Sequence, residues 1–331
     1  MRYLITLLGI TASWIFPEAM AKSEVIVFLL VVGTIGMAHG SLDHLVHQAA
    51  PGKQTTSMLR FYGLYLFAVA LVSLVWWWDP MAGLAIFAAS SAYHFGQAEV
   101  RSLAGKNRLT LWSRRFAWGL ALLALPLILH TSAMVTTFSE WDTTIDVQVL
   151  GHVGRLVLIG SGLLFIGATI ASALFSETSI SQTLHQKETW LPVGAWGLYA
   201  GMLLVTPPLW GFTLYFGLWH AWPALNKVAD ELFLRNVKDW WHALLPNYVP
   251  SLIATLAWVF IAWRWAPEYL LVGLLVLLSA LTVPHMLVFE RLYQKRLPAL
   301  RTKFSPWLGE PRSGSRQNLP GTPLLAPTHE R

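Results

Sequence analysis

Hydrophobic positions in this chain fall into long runs separated by short polar breaks. Apolar stretches cover 24–47, 59–78, 80–100, 115–136, 150–176, 190–206, 207–224, 248–266 and 268–290. Most approach the ~20 residues a helix needs to cross a bilayer. The pattern predicts an all-α, polytopic transmembrane helical bundle of about 9–10 helices. Residues 1–21 have two readings. Arg2, the apolar stretch 3–16 and Ala19-Met20-Ala21 match a signal peptide, which is the preferred reading. The alternative is a short, uncleaved first helix. Residues 22–304 then form one transmembrane domain, and the Pro-, Gly-, Ser- and Arg-rich stretch 305–331 is a disordered cytoplasmic tail. Asp79-Pro80 and Thr206-Pro207-Pro208 are tight turns, because proline suits the first turn of a new helix. The runs 190–206 and 207–224 are short for a span, so one of them is expected to be bent or re-entrant. Between 225 and 247, Asp230, Glu231, Arg235, Lys238, Trp240 and Trp241 predict an amphipathic interfacial helix.

The polar breaks carry an orientation. If 48–58 is cytoplasmic and the sides alternate from there, 20 of the 23 Lys and Arg lie inside, Arg114 and Arg115 among them. The acidic loop with Glu140, Asp142 and Asp146 lies outside. This bias predicts an integral protein of the bacterial inner (cytoplasmic) membrane with a cytoplasmic C-terminus. Composition agrees: 55% of residues are hydrophobic and 12% charged, where soluble domains carry about a quarter charged. The net charge of +6 fits basic cytoplasmic loops and gives no reason to expect nucleic acid. Zero cysteines exclude disulfides, thiolate ligands, iron–sulfur clusters and cysteine nucleophiles. Any metal must be held by nitrogen or oxygen, and 11 histidines supply imidazole.

Ionisable groups inside apolar runs are costly and need a local reason. The stretch Gly36-Met37-Ala38-His39-Gly40-Ser41-Leu42-Asp43-His44-Leu45-Val46-His47 places three histidines and an aspartate at the end of the first run. In the orientation above, four runs descend from outside to inside and end in a histidine motif, carrying His39, His94, His220 and His285. Each histidine lies four to eight residues before the cytoplasmic end. At ~1.5 Å per residue the spread is roughly one helical turn. Four imidazoles therefore reach one layer, a histidine-lined metal site in a bundle. Asp43, four residues after His39, is expected to accept a ring N–H from it. Gln97 and Glu99 are polar groups near His94. His44 is a reserve ligand, and His47 is expected to have reached the interface.

The motifs resemble the Brp/Blh family, the bacteriorhodopsin-related proteins that include membrane β-carotene 15,15′-dioxygenases. The resemblance rests on His39-Gly40-Ser41-Leu42-Asp43-His44, His94-Phe95-Gly96, Tyr215-Phe216 leading to His220, and Thr282-Val283-Pro284-His285-Met286. It implies a non-haem iron enzyme, using Fe(2+) and O2 to split the central double bond of β-carotene into two retinals. It also implies His39, His94 and His220 as ligands, a carotenoid arriving from membrane lipid, and an opsin as a receiver of retinal. One position departs from the family pattern. A further histidine often follows the third by four residues, and here that position is Ala224, with Pro223 interrupting the turn. His285 or His44 completes the site, or three histidines suffice, or the activity has changed; the shared depth favours His285. Tyr93 and Tyr215 are candidates to place substrate or oxygen. Three rivals remain: a di-iron desaturase or hydroxylase, a bis-histidine haem protein, and a non-enzymatic carotenoid-binding protein. The di-iron reading lacks a His-His pair.

Overall fold

The apolar runs become helices whose starts are set by Pro, Asp and Asn. In the computed structural model, residues 2–49, 57–100, 107–139, 147–174, 180–185, 187–232, 234, 236–265 and 270–293 are described. They form α1 (Arg2–Ile15), α2 (Pro17–Val31), α3 (Met37–Ser41), α4 (Asp43–Ala49), α5 (Met58–Trp78), α6 (Pro80–Glu99), α7 (Arg108–Leu129) and α8 (Thr131–Ser139). The second half has α9 (Val147–Leu174), α10 (Ile180–His185), α11 (Lys187–Val205), α12 (Pro208–Leu214), α13 (Trp222–Glu231), α14 (Val237–Trp265) and α15 (Leu270–Tyr293). Two π-helical turns, Val32–Gly36 and Tyr215–Ala221, join α2 to α3 and α12 to α13. No strand occurs among the described residues. The expected disordered tail, 305–331, lies outside them.

Six helical stretches are long and apolar enough to cross a membrane: Pro17–Ala49, Met58–Trp78, Arg108–Leu129, Val147–Leu174, Val237–Ile261 and Val272–Glu290. The chain is thus an integral membrane protein. The 20-residue α6 is not among the six, because its second half carries Ser90, Ser91, His94 and Gln97, all buried. Its second half is buried in the bundle.

Local signals explain the breaks. Asp79 Oδ1 accepts from the backbone N–H of Met81 (2.9 Å) and Ala82 (3.1 Å), capping α6 just before Pro80. Asn107 caps α7 through Leu109 N–H at 2.9 Å. Because α7 starts at Arg108 and not near 115, Arg114 and Arg115 are two turns into a helix. Both are buried, correcting their expected place in a cytoplasmic loop. The interfacial helix expected over 225–247 is divided: its second half is the start of α14. Nor does Pro223 break the chain after His220. The π turn ends at Ala221 and α13 continues it, with Pro223 in a first-turn position where a missing N–H costs little.

The interior is built by close helix pairs. α6 packs along α7, and α15 against α5 and α6, while α12 lies on α2. Gly96 and Gly119 let α6 and α7 meet almost backbone to backbone. A methyl group on Gly96 would overlap the carbonyl of Arg115, and one on Gly119 the carbonyl of Ala92. Small residues at a crossing are the usual way membrane helices approach, since lipid supplies no hydrophobic drive between them. Beside this pair, Phe95, Trp118, Leu122, Tyr199, Met202 and Tyr215 form an aromatic core.

Candidate metal centre

The two π turns bring their histidines inward. A π turn is a local widening of a helix and is common at functional sites. Here the two widened turns interlock. A Cβ on Gly36 would lie 2.9 Å from the Phe216 ring, and one on Gly217 2.7 Å from Val31. Each glycine is thus the socket for a side chain of the other segment. Phe216 stacks at 5.9 Å on the ring of His220. His39 follows the first π turn on α3, His220 lies in the second, His94 is near the end of α6, and His285 follows Pro284 on α15.

The four imidazoles meet in the bundle. His39 Nε2 lies 2.8 Å from His285 Nε2, across 246 residues of chain. His220 Nε2 lies 3.1 Å from His94 Nε2. Ligand atoms of His39, His94 and His285 all fall within 4.8 Å of one another. The His39 and His220 rings are 5.7 Å apart. All four residues are buried. Phe289 covers the cluster, its ring 4.3 Å from His285 and 4.7 Å from His39. Phe95 closes another side, 4.8 Å from His220.

Two hydrogen-bond chains fix which nitrogens face inward. Asp43 Oδ1 is 2.7 Å from His285 Nδ1, and Asp43 Oδ2 accepts from the Tyr65 hydroxyl at 2.9 Å. His285 therefore donates from Nδ1 and presents a lone pair at Nε2. On the other side, Gln97 Nε2 donates to Glu290 Oε2 and to the Met286 carbonyl at 3.4 Å. That leaves Gln97 Oε1 to face His94 Nδ1, 3.3 Å away. His94 likewise presents a lone pair at Nε2. Glu290 also accepts from Tyr93 at 3.0 Å and from Arg115 Nη1 at 3.1 Å. The tautomers follow from this bonding logic.

Several expected roles change. Asp43 orients His285 and not His39. The reason is local: the helix resets at Leu42, whose carbonyl accepts from Leu45 N–H at 3.0 Å. A break between His39 and Asp43 removes the four-residue face they would share. The Nδ1 atoms of His39 and His220 are buried without a hydrogen-bond partner among the described residues. His44 is turned out of the cluster, with Nδ1 3.0 Å from the Ser41 carbonyl and 2.6 Å from Asn247 Nδ2. His47 is buried against Phe61, 4.5 Å ring to ring. Glu290, rather than Glu99, is the carboxylate that meets Gln97. Tyr93 supports Glu290, and Tyr215 packs on Tyr199 at 4.8 Å within the aromatic core. Ala224 is buried.

Tyr65, Arg115, Glu290 and Phe289 did not stand out in the sequence. Arg115 and Glu290 carry a usable signal, since charges inside apolar runs are costly. An isolated Tyr or Phe in an aromatic-rich membrane protein carries none.

The donors fit a metal. Nitrogens sharing one ion at ~2.1 Å stand roughly 3 Å apart, the separation found within both histidine pairs. Neutral imidazoles without thiolates suit zinc, copper, iron or nickel. Fold and site define a polytopic α-helical membrane protein with a buried histidine cluster able to hold a metal ion. A family model described as beta-carotene 15,15′-dioxygenase matches residues 30–293. A beta-carotene 15,15′-dioxygenase of the uncultured marine bacterium 66A03 is 24% identical over 286 residues, 83% of this chain and 96% of that protein. The chain belongs to the β-carotene 15,15′-dioxygenase family. No solved structure matches it.

Proposed function

We propose that this chain cleaves the central double bond of β-carotene with O2, giving two retinals, at an iron held by His39, His94, His220 and His285. The observation that carries the reading is the meeting of four imidazoles from separate segments inside an apolar bundle. A bound iron would supply the redox chemistry that triplet O2 needs to react with a closed-shell alkene. The balance is simple: both oxygen atoms end in the products, one on each carbon of the broken bond, and no proton is transferred overall.

The residues around the cluster suit that substrate. Phe289, Phe95 and Phe216 pack on the imidazoles and keep water from them. Their faces also stabilise positive or radical character along a polyene. Asp43 with Tyr65, and Gln97 with Glu290, hold their histidines in the ligating tautomer. A carotenoid dissolved in membrane lipid reaches such a site without crossing water, and retinal leaves by the same phase, with an opsin as an acceptor. The Lys and Arg bias supports a bacterial cytoplasmic membrane as its location, with the C-terminus inside.

Expression in a β-carotene-producing host tests the activity. Cells making the wild-type chain lose their orange colour and accumulate retinal; cells making His94→Ala stay orange. Retention of colour with wild-type protein present in the membrane would instead favour a carotenoid-binding role without cleavage.

A further inference from the structure

Behind His94 lies a line of polar side chains that its role as a ligand does not require. Arg115 Nη1 contacts both oxygens of Glu290, at 3.3 and 3.1 Å. Tyr93 donates to Glu290 Oε2 at 3.0 Å, and the Gln97 amide N–H donates to the same oxygen. Arg115 is anchored further by Nε donating to the Val100 carbonyl at 3.3 Å. Its backbone is held against Gly96, so α7 cannot slide relative to the helix that carries His94. The Arg115 side chain is 2% exposed and that of Glu290 20%. An ion pair so placed contributes little stability over an apolar pair of the same shape. It needs another reason to exist.

We infer that Glu290, paired with Arg115, is a positioning residue that sets the direction of the Gln97 amide and through it the tautomer of His94. This rests on the metal reading above. The logic is one of donors and acceptors. A carboxylate offers only acceptors, so Gln97 must turn its NH2 to Glu290 and its oxygen to His94. An oxygen at Nδ1 keeps the proton there and leaves the Nε2 lone pair free for a metal. Reversing the amide reverses the outcome: an NH2 facing Nδ1 demands a lone pair there, moves the ring proton to Nε2 and blocks ligation. Asp43 does the same for His285 directly, as a carboxylate on the ring. On the His94 side the charge is one residue further back and acts through an amide.

Glu290→Gln is nearly isosteric and tests this. The introduced amide can present either its oxygen or its NH2 where Gln97 and Arg115 meet Oε2, so the direction of the Gln97 amide is no longer fixed. The double variant Gln97→Glu with Glu290→Gln restores an acceptor at His94 and a donor behind it. Gln97→Met removes the link while leaving the ion pair intact. The probe is Co(II) alone, titrated anaerobically into the purified full-length chain in detergent and followed by its visible absorption. Glu290→Gln and Gln97→Met are expected to bind Co(II) about 10- to 100-fold more weakly than wild type. The double variant is expected to recover to about wild-type affinity. A purely structural role for the pair does not predict that recovery. Wild-type affinity in both single variants overturns the relay, and so does a double variant no better than Glu290→Gln. Wild-type protein that binds no Co(II) overturns the metal reading, and this proposal with it.

Discussion

Each imidazole of the cluster has a distinct environment. His285 and His94 are oriented by hydrogen bonds at Nδ1, while Nδ1 of His39 and His220 has no hydrogen-bond partner among the described residues. His39 and His220 are instead held by ring packing, against Phe289 and Phe216 respectively. The first pair is therefore sensitive to polar substitution and the second to changes of shape. Asp43→Asn puts an amide where His285 needs an acceptor. It is expected to weaken metal binding about 10- to 100-fold, measured as metal bound per chain after dialysis, whereas His44→Ala is expected to bind as wild type. The four histidines were legible in the sequence because a charge-based orientation brought them to one depth without reference to histidine. The role of Asp43 was legible only in part. Its identity as an orienting carboxylate could be read, but its partner could not, because a helix reset at Leu42 leaves no clear mark in a run of mostly small and apolar residues. Glu290 was hidden differently: it stands four residues past the fourth motif at the end of an apolar run, where a carboxylate reads as the edge of the membrane.

At the level of elements, the motif glycines are not equivalent. Gly96 stands where α6 touches the backbone of α7, and a Cβ there meets main-chain atoms that cannot step aside. Gly40, next to His39, has open space around its missing side chain. Gly96→Ala is therefore expected to destabilise by about 3 kcal/mol or more, the upper range for overpacking, while Gly40→Ala changes stability by less than about 0.5 kcal/mol. Thermal or SDS-induced unfolding of the purified protein in detergent separates the two. A pattern reading weights both glycines alike, since each follows a histidine directly or after one residue. Only the tertiary contact tells them apart. The same holds for Pro223, which sequence rules read as a break. The π turn before it changes the register, and the helix goes on.

Over the whole molecule, Lys and Arg counting gave a consistent sidedness, although it assigned Arg114 and Arg115 to a loop when they lie inside α7. The bias survives that correction because the cytoplasmic excess is spread over many segments. A green fluorescent protein fused after Tyr293 is expected to be fluorescent and alkaline phosphatase at the same point inactive. The reverse result would invert the orientation. Helices far apart in sequence share the metal cluster, and this has a bearing on biogenesis. The first and last histidines, 246 residues apart, are in direct contact, and the carboxylate on the first membrane-length stretch holds a ring on the last helix. During synthesis α15 is the last of the described helices to enter the bilayer. Until it does, Asp43 has no imidazole to orient and Gln97 has no Glu290 to turn towards. The four-histidine cluster is therefore complete only once α15 has packed against α4 and α6.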